Sequence, residues 1–296
     1  MNCAGIFAPV PTPFDRDERV DLARLKSAFA WWLARPITGF VVLGSNGEAA
    51  FLDEGESDEV IAAARDLVPR SRPFIAGTGR ESTRAAVTAA KRAAALGADA
   101  VLVRTPGFFK SQMTGDAFVR HYSAVADGSP VPVLLYNFTA VTGVNLPPPA
   151  VARLAAHPNI IGMKESSGDL AQIAEVLSTT PRGFQLLAGS SSTFHAALCA
   201  GVAGGVLALS CVVPEPCRRL FDLAAAGRHD EARALQRRIL PLARLLGAAY
   251  GVAGLKAALG MAGCDVGVPR GPLAPAPGEA LGAIRGALDL LQETQA

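Results

Sequence analysis

The sequence predicts an α/β fold, a (β/α)8 TIM barrel with a C-terminal helical extension, on three observations. Short apolar runs alternate with longer alanine-rich amphipathic stretches through most of the chain. The pairs number eight and are evenly spaced, and parallel strands need a crossover helix between each pair. The 296 residues, 50% of them hydrophobic, suit one barrel of about 250 residues with insertions. An open doubly wound sheet also uses βα units, but eight even ones fit closure better.

In order, the first strand is Gly5–Val10, followed by a helix near 21–34. Gly39–Leu43 and a helix near 53–68 come next, then Pro73–Gly77. The third helix, near 82–96, has Ser82 as N-cap and Gly97 as its stop. Strand Ala100–Arg104 leads to a helix near 114–127 capped by Thr114. After Val131–Tyr136, Pro147–Pro149 suits the first turn of a helix near 147–156. Ile160–Lys164, Phe184–Ala188 and Gly205–Leu209 complete the strands, with helices near 169–178, 192–200 and 214–226, the last stopped by Gly227. Beyond it, His229–Gly247, Val252–Met261 and Glu279–Gln292 read as three further helices, with a Pro/Gly-rich link at Gly267–Gly278. We therefore divide the chain into a barrel domain, residues 1–227, and an extension packed on it, residues 228–296.

Composition narrows the function. Net charge is +2 with acids and bases interspersed, which argues against nucleic acid or an anionic membrane as partner. No apolar stretch reaches the roughly 18 residues of a membrane span, and the N-terminus lacks the pattern of a secretory signal. Five cysteines without a C-x-x-C pair read as small core residues in a reducing compartment, so the expected location is cytoplasmic. The four histidines (His121, His157, His195, His229) are dispersed beside helices rather than at strand ends, so no metal site is expected.

The chemistry starts from Lys164. It ends the apolar run Asn159-Ile-Ile-Gly-Met-Lys164, whereas Lys26, Lys91, Lys110 and Lys256 stand in polar, helical or loop-like contexts. A lysine there either snorkels to solvent, pairs with a carboxylate, or remains partly desolvated and able to attack a carbonyl. Barrel catalysis uses the C-terminal strand ends, and Lys164 falls at one. Strand alternation sets Ser166 on its face and Glu165 on the other. Tyr136 ends the adjacent strand, within reach of the amine. Gly44-Ser45-Asn46-Gly47-Glu48 follows the second strand; it is either a tight turn or a cradle of N–H groups for a carboxylate. Phe108-Phe109, two aromatics in a loop, are expected to pack on something, a second subunit or the site itself. Trp31-Trp32 is expected in the core or an interface.

At Gly44-Ser-Asn-Gly-Glu48, Leu135-Tyr136-Asn137, Gly162-Met-Lys164-Glu-Ser-Ser-Gly-Asp169, Leu187-Ala-Gly-Ser190 and Gly204-Gly-Val-Leu-Ala-Leu209, the chain resembles the family of dihydrodipicolinate synthase and N-acetylneuraminate lyase. The resemblance implies a pyruvate-dependent class I aldolase with no cofactor beyond a covalent Schiff base on Lys164. It implies Tyr136 and Ser45 as a proton relay, and substrate contacts from Ser45, Asn46, Ser166, Gly189, Ser190 and Leu207. It also implies a homodimer or homotetramer. Within the family the chain looks most like 4-hydroxy-2-oxoglutarate aldolase. Val141 stands where the synthases carry arginine, and Ser191-Ser192 where the sialate lyases carry acids. The loop tyrosine that a neighbouring subunit usually supplies is matched only by Phe108 or Phe109.

The expected reaction is therefore cleavage of a 4-hydroxy-2-oxo acid to pyruvate and an aldehyde, glyoxylate first. Condensation of pyruvate with aspartate semialdehyde, a sugar-acid aldolase or dehydratase, and a catalytically weak oxo-acid sensor are the alternatives.

Overall fold

The computed structural model describes residues 1–292. Eight parallel strands close in sequence order into a barrel: β1 Gly5–Pro9, β2 Gly39–Val42, β3 Phe74–Gly77, β4 Ala100–Arg104, β5 Val133–Asn137, β6 Ile160–Glu165, β7 Gln185–Ala188 and β8 Gly204–Val206. β1 pairs with β8, so no edge is left. The expected strand Gly205–Leu209 is shorter than read: Ala208–Cys211 is a 3-10 turn. Ser210 Oγ donates there to the Phe7 and Leu207 carbonyls, which favours the turn over further pairing.

The helices around the barrel are α1 Leu22–Leu33, α2 Glu54–Leu67, α3 Thr83–Ala95, α4 Gly115–Gly128, α5 Thr139–Thr142, α6 Pro148–Leu154, α7 Leu170–Thr179, α8 Phe194–Ala200 and α9 Pro214–Ala225. Ser82 and Thr114 cap as expected, accepting from the N–H groups of Ala85 and Ala117, and α6 starts on proline. Gly97 and Gly227 adopt positive φ, +92° and +70°, which releases the chain after α3 and α9. The single turn α5 had no counterpart in the sequence reading, since four residues are too few to show a period.

Two apolar layers result from strand alternation. Phe7, Val41, Ile75, Leu102, Leu134 and Val206 fill the barrel interior. The opposite faces meet the helices, around Phe29, Phe40, Phe74, Phe118 and Phe194. Trp32 belongs here, fully buried with Nε1 donating to the Cys211 carbonyl at 3.0 Å. Four of the five cysteines are buried; Cys199 is exposed and departs from the core reading.

Beyond α9, α10 (His229–Arg244) packs on α9, a π-helical turn (Leu245–Ala249) follows, and α11 (Gly251–Met261) and α12 (Gly278–Gln292) pack on each other. Among the described residues, no helix is long and apolar enough to cross a membrane.

Candidate active site

β5 and β6 pair with Tyr136 opposite Lys164. Both are 4% exposed, and Lys164 Nζ lies 4.2 Å from the centre of the Tyr136 ring. No carboxylate pairs with Lys164 among the described residues. The reason is visible at the next residue: Glu165 turns to the opposite face. There its carboxylate accepts from Asn137 Nδ2 at 2.8 Å, Gln172 Nε2 at 2.7 Å and the Ser167 N–H at 2.6 Å. The nearest acid in sequence is thus fixed by neutral donors, and Lys164 Nζ is left beside the aromatic face of Tyr136.

Tyr136 Oη and Ser45 Oγ share a hydrogen bond of 2.9 Å, across 91 residues of sequence. Ser45 is carried by the turn after β2. Gly47 and Glu48 donate their N–H groups to the carbonyls of Gly44 and Ser45, while those of Ser45 and Asn46 have no partner among the described residues. Thr12 Oγ1 holds the turn from the segment after β1, donating to the Gly47 carbonyl at 2.6 Å. Both flanks are strained, since Leu43 and Glu48 have φ of +54° without being glycine. Gly77 permits this close packing: a Cβ there would stand 1.8 Å from the Leu43 carbonyl oxygen. The N–H groups, a serine and a half-buried asparagine together form a small anion cradle.

The loops after β6 and β7 pack on each other, Ser190 lying beside Gly168. Gly189 lies against Ser166, with room for no side chain: a Cβ would be 1.8 Å from Ser166 Oγ. The hydroxyls of Ser166, Thr193 and Thr78 are buried without a protein partner, and such groups normally find one. Of the expected contacts, Leu207 packs its side chain in the outer layer beside Gly205, while Val206 turns into the barrel; Leu207 stands just past β8, at the start of the 3-10 turn.

Sequence reasoning missed Lys256. The sequence places it in a helical context without a role, yet it is 2% exposed and paired with Glu48 at 2.7 Å. Nζ also donates to the carbonyls of Thr12 and Val268, at 2.8 and 2.9 Å. Burial lowers its pKa, and the Glu48 carboxylate opposes that shift. The Arg270 N–H reaches the other Glu48 oxygen at 2.8 Å. The extension therefore braces the Ser45 turn from behind. Lys256 is the only charged residue of the apolar helix α11, but nothing local marks its partner, which lies 208 residues away.

Val141 is 59% exposed on α5 and offers no charge. The nearby arginines are engaged elsewhere: Arg104 with Glu81 at 2.6 Å and Arg80 with Glu54 at 2.8 Å. Glu81 also accepts the N–H groups of Gly107 and Phe108. This pins a loop whose Phe108 and Phe109 rings are 78% and 69% exposed, packed edge to face at 5.1 Å. Within this chain they form no wall of the site.

What the fold and these residues define is a barrel enzyme that presents an amine, a phenol and hydroxyls to a small substrate carbonyl. The chain belongs to the dihydrodipicolinate synthetase family, whose sequence pattern matches residues 2–289; its members are pyruvate-dependent class I lyases and synthases acting on oxo acids. It is 33% identical over 291 residues to a 4-hydroxy-tetrahydrodipicolinate synthase of Exiguobacterium, covering 98% of this chain and 99% of that protein. A protein of Emericella nidulans named probable 4-hydroxy-2-oxoglutarate aldolase, mitochondrial, is 36% identical over 237 residues, covering 78% and 77%. The crystal structure of a dihydrodipicolinate synthase from Bacillus anthracis superimposes with a TM-score of 0.93 at 27% identity, covering 98% of each chain.

Proposed function

We propose that this enzyme cleaves 4-hydroxy-2-oxoglutarate to pyruvate and glyoxylate through a Schiff base on Lys164. The observation that carries the reading is the buried, carboxylate-free Lys164 beside Tyr136, itself hydrogen-bonded to Ser45. Lys164 Nζ attacks the C2 carbonyl and water leaves, giving an imine whose protonated form draws electrons from the C3–C4 bond. Tyr136 takes the proton of the 4-hydroxyl as that bond breaks and glyoxylate departs, with Ser45 relaying the proton onward. The remaining enamine is protonated at C3, and hydrolysis of the imine frees pyruvate and the amine. The N–H groups and side chains of Ser45 and Asn46 hold the C1 carboxylate, and Ser166 and Ser190 serve the leaving aldehyde. No cofactor is needed beyond the lysine itself. We read residues 228–296 as a structural brace of this barrel and the working form as a cytoplasmic homodimer or homotetramer.

The substrate choice rests on charge. Both acceptors carry a carboxylate, but glyoxylate is small enough for backbone N–H groups and serines to hold it, whereas the longer semialdehyde also brings an ammonium. Truncating the charged partner of a partly dry charge costs roughly 2–5 kcal/mol. Val141 supplies no such partner, and Arg80 and Arg104 are paired. The second reading, condensation of pyruvate with aspartate semialdehyde, is favoured by the full-length likeness to a synthase. Coupled assays on the two substrates decide between them. Cleavage should exceed condensation by at least about tenfold in kcat/KM, or roughly 1.4 kcal/mol. In the same preparation, borohydride with pyruvate should add one pyruvate-derived mass on Lys164, absent in Lys164→Ala. Label on Lys256 or surviving in the variant overturns the Schiff-base assignment, and faster condensation overturns only the substrate.

A further inference from the structure

Where α8 meets α10 on the outer helical layer, three donor groups converge that the reaction does not use. His195 Nε2 and His229 Nδ1 are 3.4 Å apart, Cys199 Sγ is 3.5 Å from the first and 3.7 Å from the second. His195 and Cys199 are one helical turn apart on α8, so they share a face. His229 comes from the first residue of α10, brought there by the short connection after α9. The sequence reading dismissed the histidines as dispersed, because the contact joins two elements 34 residues apart.

Those spacings match the edges of a tetrahedron around a single ion. With Zn–N near 2.0–2.1 Å and Zn–S near 2.3 Å, the N···N edge is about 3.3–3.4 Å and each N···S edge about 3.5–3.6 Å. Two imidazoles and a thiol select a borderline-soft transition ion over Mg2+ or Ca2+. Buried His195 is held by its own backbone N–H, which donates to Gln236 Oε1 at 3.0 Å, and Gln236 in turn donates to the Ser191 carbonyl at 3.0 Å.

We propose that His195, Cys199 and His229 form a zinc-class metal site, with the fourth position open to solvent, that staples the C-terminal extension to the barrel. Binding replaces the Cys199 S–H bond by a metal–thiolate bond and releases one proton per ion. The site lies outside the carbonyl chemistry, so it stands or falls independently of the proposed reaction.

Chelator-stripped full-length protein is titrated with Zn2+, and with Co2+ as the spectroscopic probe. One ion per chain is expected, with a thiolate-to-cobalt charge-transfer band and the intense visible bands of a tetrahedral site. At free Zn2+ about a hundredfold above Kd, Tm should rise by about 5 °C, and equal Mg2+ should do nothing. Cys199→Ser and His229→Ala alter exposed residues and so preserve the fold. Each should bind more than about 100-fold more weakly, since even the outer partners of metal ligands contribute 10–100-fold, and Cys199→Ser should lose the charge-transfer band. Zinc binding equal to wild type in both variants, or cobalt spectra without thiolate character, overturns the site. Half an ion per chain with a metal-dependent doubling of mass overturns the intrachain geometry in favour of a bridge between copies.

Discussion

Tyr136 combines three properties at one position: burial, a ring beside Lys164 Nζ, and a hydroxyl on Ser45. Tyr136→Phe keeps the ring and removes only the proton carrier. General acid–base groups typically contribute about 10²–10⁴-fold, so kcat should fall by that order while borohydride trapping on Lys164 survives. Unchanged turnover would assign the proton to another group. A second residue sets a response to acid. His121 is buried in α4, its Nδ1 against Thr83 Oγ at 2.9 Å and its Nε2 without a partner. Burial pushes its pKa down to about 4 from 6.5. Because the unfolded chain then takes up the proton first, this contribution is complete above pH 6.5 and is lost as the pH falls towards 4. Between pH 7 and pH 5 it removes on the order of 2 kcal/mol. Urea denaturation at both pH values should show that loss in the wild type and a smaller one in His121→Gln.

At the scale of elements, the turn after β2 is held from three sides: by Thr12, by Gly77 beneath Leu43, and by Lys256 from α11. A buried ion pair adds little net stability, but breaking it strands a charge and costs about 3–5 kcal/mol. Lys256→Met should therefore destabilise by that order in chemical denaturation, and Glu48→Gln added to it should recover most of the loss. Additive losses would show that the two side chains are not coupled. The extension's second grip is Arg270, which reaches Glu56 at 2.6 Å and the Phe51 carbonyl at 2.8 Å. The turn after β2 is thus tied to the C-terminal extension through both Lys256 and Arg270.

At the scale of the whole molecule, Phe108 and Phe109 form an exposed aromatic pair at the barrel mouth, on a loop pinned by Glu81. A rigid apolar pair in water is the signature of an interface anchor. Sedimentation should find an oligomer, and Phe108→Ser with Phe109→Ser should raise its dissociation constant by about 30-fold or more, from the roughly 2 kcal/mol of a hot spot. A wild-type monomer, or an oligomer indifferent to the change, removes these residues from the interface.

The order and number of βα units, and the placement of Lys164, Tyr136 and Ser45 at strand ends, were legible in the sequence. Strand alternation and crossover connection are local rules, and they act within windows of a few residues. The face that frees Lys164 from Glu165 follows from the same rule. Other features were decided only by closure of the barrel and docking of the extension. β8 ended at Val206, where Ser210 ties the following 3-10 turn back to the Phe7 carbonyl of β1. Lys256 and Glu48 met inside the protein, and His195, Cys199 and His229 converged between α8 and α10. Each joins segments that share no periodicity, and pairing across such distances is set by how surfaces pack, for which residue spacing carries no signal.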